Sequence, residues 1–158
     1  MMALKQLLPP RDNCAITCYG VIYSYDNMGN LLSLSREGDM TSSLKGIVDN
    51  LSMTYDGNML ASVSDSAPAP SVTGSADFRD GASMAVEYTY DRNGNMTSDL
   101  NRRISSVSYN RQNRPARIKH SGGTETFTYL PDGTKRERTA LGKDWSLSRT
   151  EYRGNLVC

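Results

Sequence analysis

Apolar and polar side chains alternate with a period of two through much of this chain, most clearly from Val86 to Leu100. Val86, Tyr88 and Tyr90 alternate there with Glu87 and Thr89, a pattern that puts apolar and polar side chains on opposite faces of a β-strand. A turn follows. Asp91 can accept from a backbone N–H two residues on, and Gly94 can take the positive φ that closes a short loop. Asn95, Met96 and Thr97 then begin a return strand, so the stretch reads as one β-hairpin with a type I turn and a left-handed residue.

The same hairpin recurs. Tyr25-Asp26-Asn27-Met28-Gly29-Asn30-Leu31 matches it nearly position for position. Tyr55-Asp56-Gly57-Asn58 is a shortened copy whose Asp-Gly pair predicts a two-residue type I′ turn. Tyr109 to Asn113 is a degenerate copy with Asn113 at the glycine position, where Asn tolerates left-handed backbone better than most residues. Tyr129-Leu130-Pro131-Asp132-Gly133 presets the turn with proline and ends it on Gly133. Tyr152-Arg153-Gly154 is a clipped sixth copy. From tyrosine to tyrosine the spacings are 30, 35, 19, 20 and 23 residues, so the later hairpins are near-minimal and the earlier ones carry insertions.

Between the repeats the pattern is weaker. Residues 1–20 read as an N-terminal tail or linker, with Pro9-Pro10 arguing against a helix past Leu8. Val21, Tyr23 and Tyr25 lead into the first hairpin, which returns through Leu31 to Leu34. Glu37 to Ile47 reads as a connector punctuated by Gly38 and Gly46, with a short helical turn near Ser42 to Lys45. Leu51, Met53 and Tyr55 enter the second hairpin. Residues 64–83, rich in Ser, Ala, Pro and Gly, read as a flexible insertion. Hairpins are then expected over 86–98, 104–120 and 124–139, with a last strand pair from near Trp145. The predicted fold is all-β: consecutive antiparallel hairpins over residues 21–158, paired edge to edge into a curved or spiralling sheet. A lone hairpin is marginal in water, so stability has to come from that pairing.

The pattern Tyr-x-Tyr-Asp-x-x-Gly-Asn-Leu/Met, at Tyr23 to Leu31 and again at Tyr88 to Met96, resembles the YD repeat of the RHS (recombination hot spot) family. That family includes bacterial polymorphic toxins, shell-forming components of Tc insecticidal toxin complexes, and the animal teneurins. The resemblance spans roughly residues 21 to 157. It implies that the structural repeat residues are Tyr25, Asp26, Gly29, Tyr55, Asp56, Gly57, Tyr90, Asp91, Gly94, Tyr109, Asn113, Tyr129, Gly133, Tyr152 and Gly154. It further implies a section of a hollow β-shell. No part of the chain matches the self-cleaving segment that precedes the family's C-terminal toxins, so toxin activity is not carried over. The chain is expected to be a piece of a longer protein.

Composition supports a half-wet sheet. Nine tyrosines stand against two phenylalanines and one tryptophan, so most aromatic area comes with a hydroxyl that needs a partner or water. The net charge of +1 hides an asymmetry: residues 1–100 carry 6 Lys/Arg against 12 Asp/Glu, and residues 101–158 carry 12 against 5. The basic half lacks a nucleic-acid motif and its cations are scattered, so nucleic acid is set aside as a partner. Cys14, Cys18 and Cys158 make no disulfide framework, and with a single histidine they make no zinc site. No transmembrane run or signal peptide is present; family members that are long are exported or displayed at the cell surface.

Chemistry is sparse. A nucleophilic triad would have to use His120, which sits where a strand runs into a Gly-Gly turn. The repeat aspartates Asp26, Asp56 and Asp91 could pair as glycosidase carboxylates, but capping their turns already accounts for them. Asp91 to Asn95 lacks the glycine placement and the terminal glutamate of a calcium loop. The expectation is therefore no enzyme, no cofactor and no metal. The chain is read as a structural module that joins neighbouring YD repeats and encloses or presents another polypeptide. Oligomerisation through open sheet edges is a further expectation. The alternative is a glycan-binding or adhesion surface using exposed Tyr rings and Trp145.

Overall fold

The computed structural model describes residues 20–72 and 77–153, together with the backbone of 156–157. The tail over residues 1–19, all three cysteines and Gly154 lie outside the described residues. The chain is all-β, and its strands are laid down as consecutive antiparallel hairpins. The first four are β1 (Val21–Tyr25), β2 (Leu31–Asp39), β3 (Lys45–Asp56) and β4 (Met59–Asp65). The other eight are β5 (Tyr88–Tyr90), β6 (Met96–Asp99), β7 (Ile104–Tyr109), β8 (Pro115–His120), β9 (Gly123–Tyr129), β10 (Lys135–Gly142), β11 (Leu147–Arg153) and β12 (Leu156–Val157). In each sheet the strand order follows the sequence: β1 to β4 form one sheet and β5 to β12 the other, and neither closes into a barrel.

The turns form where the sequence places them, and left-handed backbone appears at the expected positions. Gly29, Gly94 and Gly133 have φ of 88°, 80° and 85°, and Asn113 has φ 60°. The Gly57-Asn58 loop departs from the type I′ expectation. Only Gly57 of the pair has positive φ (61°), the type II′ arrangement with glycine at the first central position.

Residues 37–47 depart further. The expected connector is itself a hairpin, with Glu37 opposite Ile47, Gly38 opposite Gly46 and Asp39 opposite Lys45. No helical turn forms. Met40 and Thr41 instead donate their N–H groups to the Leu44 carbonyl, and the Thr41 hydroxyl accepts from Leu44 N–H at 3.0 Å. The two glycines do not break the strands. An added Cβ on Gly38 would meet a Val48 methyl at 3.0 Å, so its bareness lets Val48 pack down onto the neighbouring strand.

The core gathers where the two sheets meet. Leu51, Val63 and Tyr88 are buried together, with Leu34, Met53, Leu60, Phe78, Tyr90 and Met96 packed around them. Here the period-two reading inverts at its first position. Val86 is 54% exposed and Glu87 is 2% exposed, because β5 begins only at Tyr88 and Glu87 serves the neighbouring sheet. Its backbone N–H donates to the Ala61 carbonyl at 2.7 Å, and its Oε2 accepts from Val63 N–H at 3.0 Å and Asn101 Nδ2 at 2.8 Å. Asp80 likewise accepts from Asp65 N–H at 3.1 Å. Side chains thus satisfy the outer edge of β4 in place of a strand, and the ladder divides into two sheets at this point.

The segment between β4 and β5 makes further bonds to the sheets. Ser71 N–H donates to the Met40 carbonyl at 2.9 Å, and Phe78 N–H donates to Asp49 at 2.7 Å. Gly81 and Ala82 N–H groups both donate to the Asn101 side chain.

Candidate functional site

The repeat motif builds a rim along one end of the strands. In the two full copies the aspartate Oδ1 accepts two backbone N–H groups, those of Met28 and Asn30 on Asp26 and those of Asn93 and Asn95 on Asp91. The other oxygen, Oδ2, accepts from the motif asparagine, Asn30 Nδ2 at 2.8 Å or Asn95 Nδ2 at 2.9 Å. Both carboxylate oxygens of the motif aspartate are thus spent within its own loop. These hydrogen bonds, the asparagine side chain first among them, hold the Asp26 and Asp91 carboxyls below the usual carboxylate range. Asn110 does the same for the degenerate copy, accepting from Gln112 and Arg114 N–H. In the proline-containing copy Asp132 takes over, accepting from Thr134 N–H. Neighbouring loops are also tied to each other: Asn95 Nδ2 donates to Asn113 Oδ1 at 2.8 Å, and Gln112 Nε2 to the Pro131 carbonyl at 2.8 Å.

Beneath the rim runs a ladder of tyrosine hydroxyls with a simple rule. Tyr55, Tyr109 and Tyr129 each donate to the carbonyl of the residue that pairs with the previous repeat tyrosine. Tyr25 pairs with Leu31, and Tyr55 donates its hydroxyl to the Leu31 carbonyl at 2.9 Å. Tyr55 pairs with Leu60, whose backbone N–H faces the Tyr90 oxygen and favours the phenolate, against the larger effect of burial. Tyr90 pairs with Met96, and Tyr109 donates to the Met96 carbonyl at 2.7 Å. Tyr109 pairs with Pro115, and Tyr129 donates to the Pro115 carbonyl at 2.8 Å. Tyr129 pairs with Lys135, whose ammonium lies 5.8 Å from the Tyr152 ring centroid and 4.8 Å from that of Phe127, within cation–π reach.

Burial raises the phenols of Tyr88, Tyr90, Tyr109 and Tyr129 above their ordinary value. A group held protonated in the fold contributes its stability in full below the unfolded pKa, about 10 for tyrosine, and loses it as pH rises through the folded value. Stability is therefore expected to fall at pH above about 10, with tyrosinate absorbance and loss of β-sheet circular dichroism rising together. Phenols that titrate well before the sheet signal changes would show that the ladder does not depend on their protons.

Sequence reasoning missed a second cluster. Carboxylates of Asp49, Asp65 and Asp77, from β3, β4 and the segment after β4, each place an oxygen within 4.8 Å of the others. Three widely separated residues leave no spacing signature. An all-oxygen set suits hard cations, but much of this one is already engaged. Asp49 is buried and paired with Arg36, whose Nε lies 2.6 Å from Oδ2, and its other oxygen accepts from Phe78 N–H. Asp65 Oδ1 accepts from Asn50 and Ala67 N–H. Burial, with Asp49 and Asp65 adding repulsion, pushes the Asp77 carboxyl up.

The remaining candidates are dispersed. His120 closes its own turn by accepting from Gly122 N–H at Nδ1, and its Nε2 faces Glu125 at 3.9 Å. Glu125 itself receives a two-pronged bond from Arg138, at 3.0 and 2.7 Å. Asp26, Asp56 and Asp91 stay on separate turns of the rim. Trp145, 82% exposed, sits at the β10–β11 turn with φ 62°, far in strand order from the edge-to-face pair Tyr23–Tyr25 at β1. No helix among the described residues is long and apolar enough to cross a membrane. No protein-family model matches this chain, and no curated protein matches it.

Proposed function

We propose that the chain is a non-enzymatic structural module, a stretch of YD-repeat sheet of the RHS type whose work is to enclose or present another polypeptide. The observation that carries this reading is the tyrosine ladder. One hydroxyl-to-backbone rung repeats from hairpin to hairpin, so the motif residues are spent on propagating a sheet rather than on a reaction. By the strand register the face that holds the ladder also carries Ile118 and Phe127 beside the Glu125–Arg138 ion pair, a mixed apolar and charged surface suited to weak contact with an extended chain. Calorimetric titration with a permanently unfolded, reduced and alkylated test protein is expected to give binding with a negative heat-capacity change, the mark of apolar burial. No heat of binding at any temperature would overturn the proposal.

The exposure of Trp145 favours one second reading, a glycan-binding surface in which the indole stacks on a sugar ring. On that reading Trp145→Ala abolishes a glycan-array signal that the unaltered chain gives.

A further inference from the structure

One turn of the second sheet carries a residue that its backbone disfavours. The loops that begin at Asp26, Asp91, Asn110 and Leu130 share a pair of backbone hydrogen bonds, and their fourth residues, Gly29, Gly94, Asn113 and Gly133, are left-handed. The loop between β10 and β11 repeats both bonds, from Gly142 N–H to the Ser146 carbonyl at 2.8 Å and from Trp145 N–H to the Gly142 carbonyl at 3.2 Å. Its left-handed residue is Trp145, with φ 62°. Positive φ is an outlier for a bulky side chain, so the turn alone does not call for tryptophan. The indole is 82% exposed and makes no ring or cation contact among the described residues. Strain kept at an exposed position points to function.

The neighbouring side chains narrow the occupant. Leu141 and Leu147 face each other across the hairpin at 38% and 69% exposure, so the tip shows bare apolar area beside the indole. Its polar groups, by contrast, are spent. The N–H groups of Gly142, Trp145 and Ser146 bond within the loop, Lys143 N–H bonds to the Gly122 carbonyl, and the Ser146 hydroxyl donates to Asp144 at 2.6 Å. A sugar site needs free polar groups next to its stacking ring, whereas a tip with its backbone already satisfied loses little on leaving water. Exposed cations lie alongside. Lys143 is in the turn, Lys119 shares the cross-strand row of Leu141 through Thr124, and Arg103 belongs to the next loop but one, tied in through Ser121 N–H. None of the three is in an ion pair among the described residues. Loops 100–103, 121–122 and 143–146 together hold a single carboxylate, Asp144.

We infer that the β10–β11 tip docks on an anionic membrane surface, with Trp145 at the headgroup level, Leu141 and Leu147 below it, and Lys143, Lys119 and Arg103 against acidic headgroups. Tryptophan favours that depth, and shallow apolar insertion joined to cation attraction is how peripheral segments hold to a bilayer. Both strands of this hairpin are paired on either side. The inference rests on the tip and stands whether or not the sheet encloses a polypeptide.

Trp145 is the single tryptophan of the chain, so its fluorescence reports on the tip alone. Vesicles of equimolar phosphatidylcholine and phosphatidylserine are expected to shift its emission to the blue, lipids brominated on the acyl chain to quench it, and salt to reverse the binding. Vesicles of phosphatidylcholine alone are expected to bind more weakly. Trp145→Gly restores the residue that the sister turns use. It is expected to keep or raise the unfolding midpoint while lowering co-sedimentation with the anionic vesicles roughly tenfold or more, the worth of one large apolar side chain. Lys143→Gln is expected to lower it about fivefold. Emission unmoved by any vesicle, equal partition onto neutral vesicles, or partition indifferent to both substitutions would overturn the inference. So would an indole that responds to soluble glycans and not to lipid.

Discussion

Replacing Glu87 with alanine is expected to lower the unfolding midpoint by about 10 °C, which corresponds to a loss of about 3–5 kcal/mol in a domain of this size. The carboxylate is 2% exposed and accepts from Val63 N–H, Asn101 Nδ2 and, at 3.3 Å, Met84 N–H. Hydrogen bonds to a charged acceptor contribute about 1.5–3 kcal/mol each, and the Val63 N–H would remain buried without its partner after truncation. The loss is also cooperative, because Glu87 joins the two sheets and lies beside Tyr88 in the shared core. Glu87→Gln keeps one oxygen for Val63 and Asn101 but turns an amide donor toward Met84 N–H, so it is expected to fall between alanine and the unaltered chain. Thermal unfolding followed by circular dichroism reads both. A midpoint for Glu87→Ala within a degree or so of the unaltered chain would mean that β4's edge finds other partners.

The second large effect is expected at Gly123. Its φ is 149°, and an added Cβ would lie 2.1 Å from the Leu141 carbonyl oxygen and 3.0 Å from the Gly142 Cα, both backbone atoms of the paired strand. Neither can step aside without opening the β9–β10 ladder at Gly123–Gly142 and Thr124–Leu141. Gly123→Ala is expected to cost about 3–5 kcal/mol, combining backbone strain with overpacking. Gly94 supplies the comparison. Its φ is 80° but nothing lies within 4 Å of an added Cβ, so Gly94→Ala meets only the left-handed penalty of about 1–2 kcal/mol. Denaturant midpoints for the two variants should separate clearly, and equal midpoints would remove the steric argument.

The difference between these glycines marks how far the sequence could be read. Gly94 announces itself, because a turn needs an Asp, a left-handed residue and flanking alternation within a few positions, and all three are local. The same locality made the hairpins around Tyr25, Tyr55, Tyr109 and Tyr129 legible. Gly123 is held by a strand that follows eighteen or so residues later in the chain, and its neighbour Gly122 looks identical in sequence. The hairpin over residues 37–47 was hidden because Gly38 and Gly46 read as punctuation, whereas in the fold they pair with each other. Glu87 was read as the outward alternate of Val86 and Tyr88. Its burial depends on unpaired N–H groups on β4, which no local pattern encodes. The tyrosines were legible as repeat markers, but the target of each hydroxyl lies one hairpin back and follows only from the strand register.

The two ends of the hairpins also obey different length rules. At the motif end, the loops span residues 26–30, 57–58, 91–95, 110–114 and 130–134, while the opposite ends span 40–44, 66–87, 100–103, 121–122 and 143–146. One margin stays within a narrow size range, with four of its five loops five residues long. The other has absorbed everything from two residues to a 22-residue excursion without shifting the phase of the tyrosines. For anyone wishing to splice a foreign peptide into this scaffold, that second margin is the permissive seam. The 66–87 excursion already holds the longest insert there, whereas the Ser121-Gly122 turn is bonded to the loops on both sides, through Ser121 N–H to the Arg103 carbonyl and Lys143 N–H to the Gly122 carbonyl.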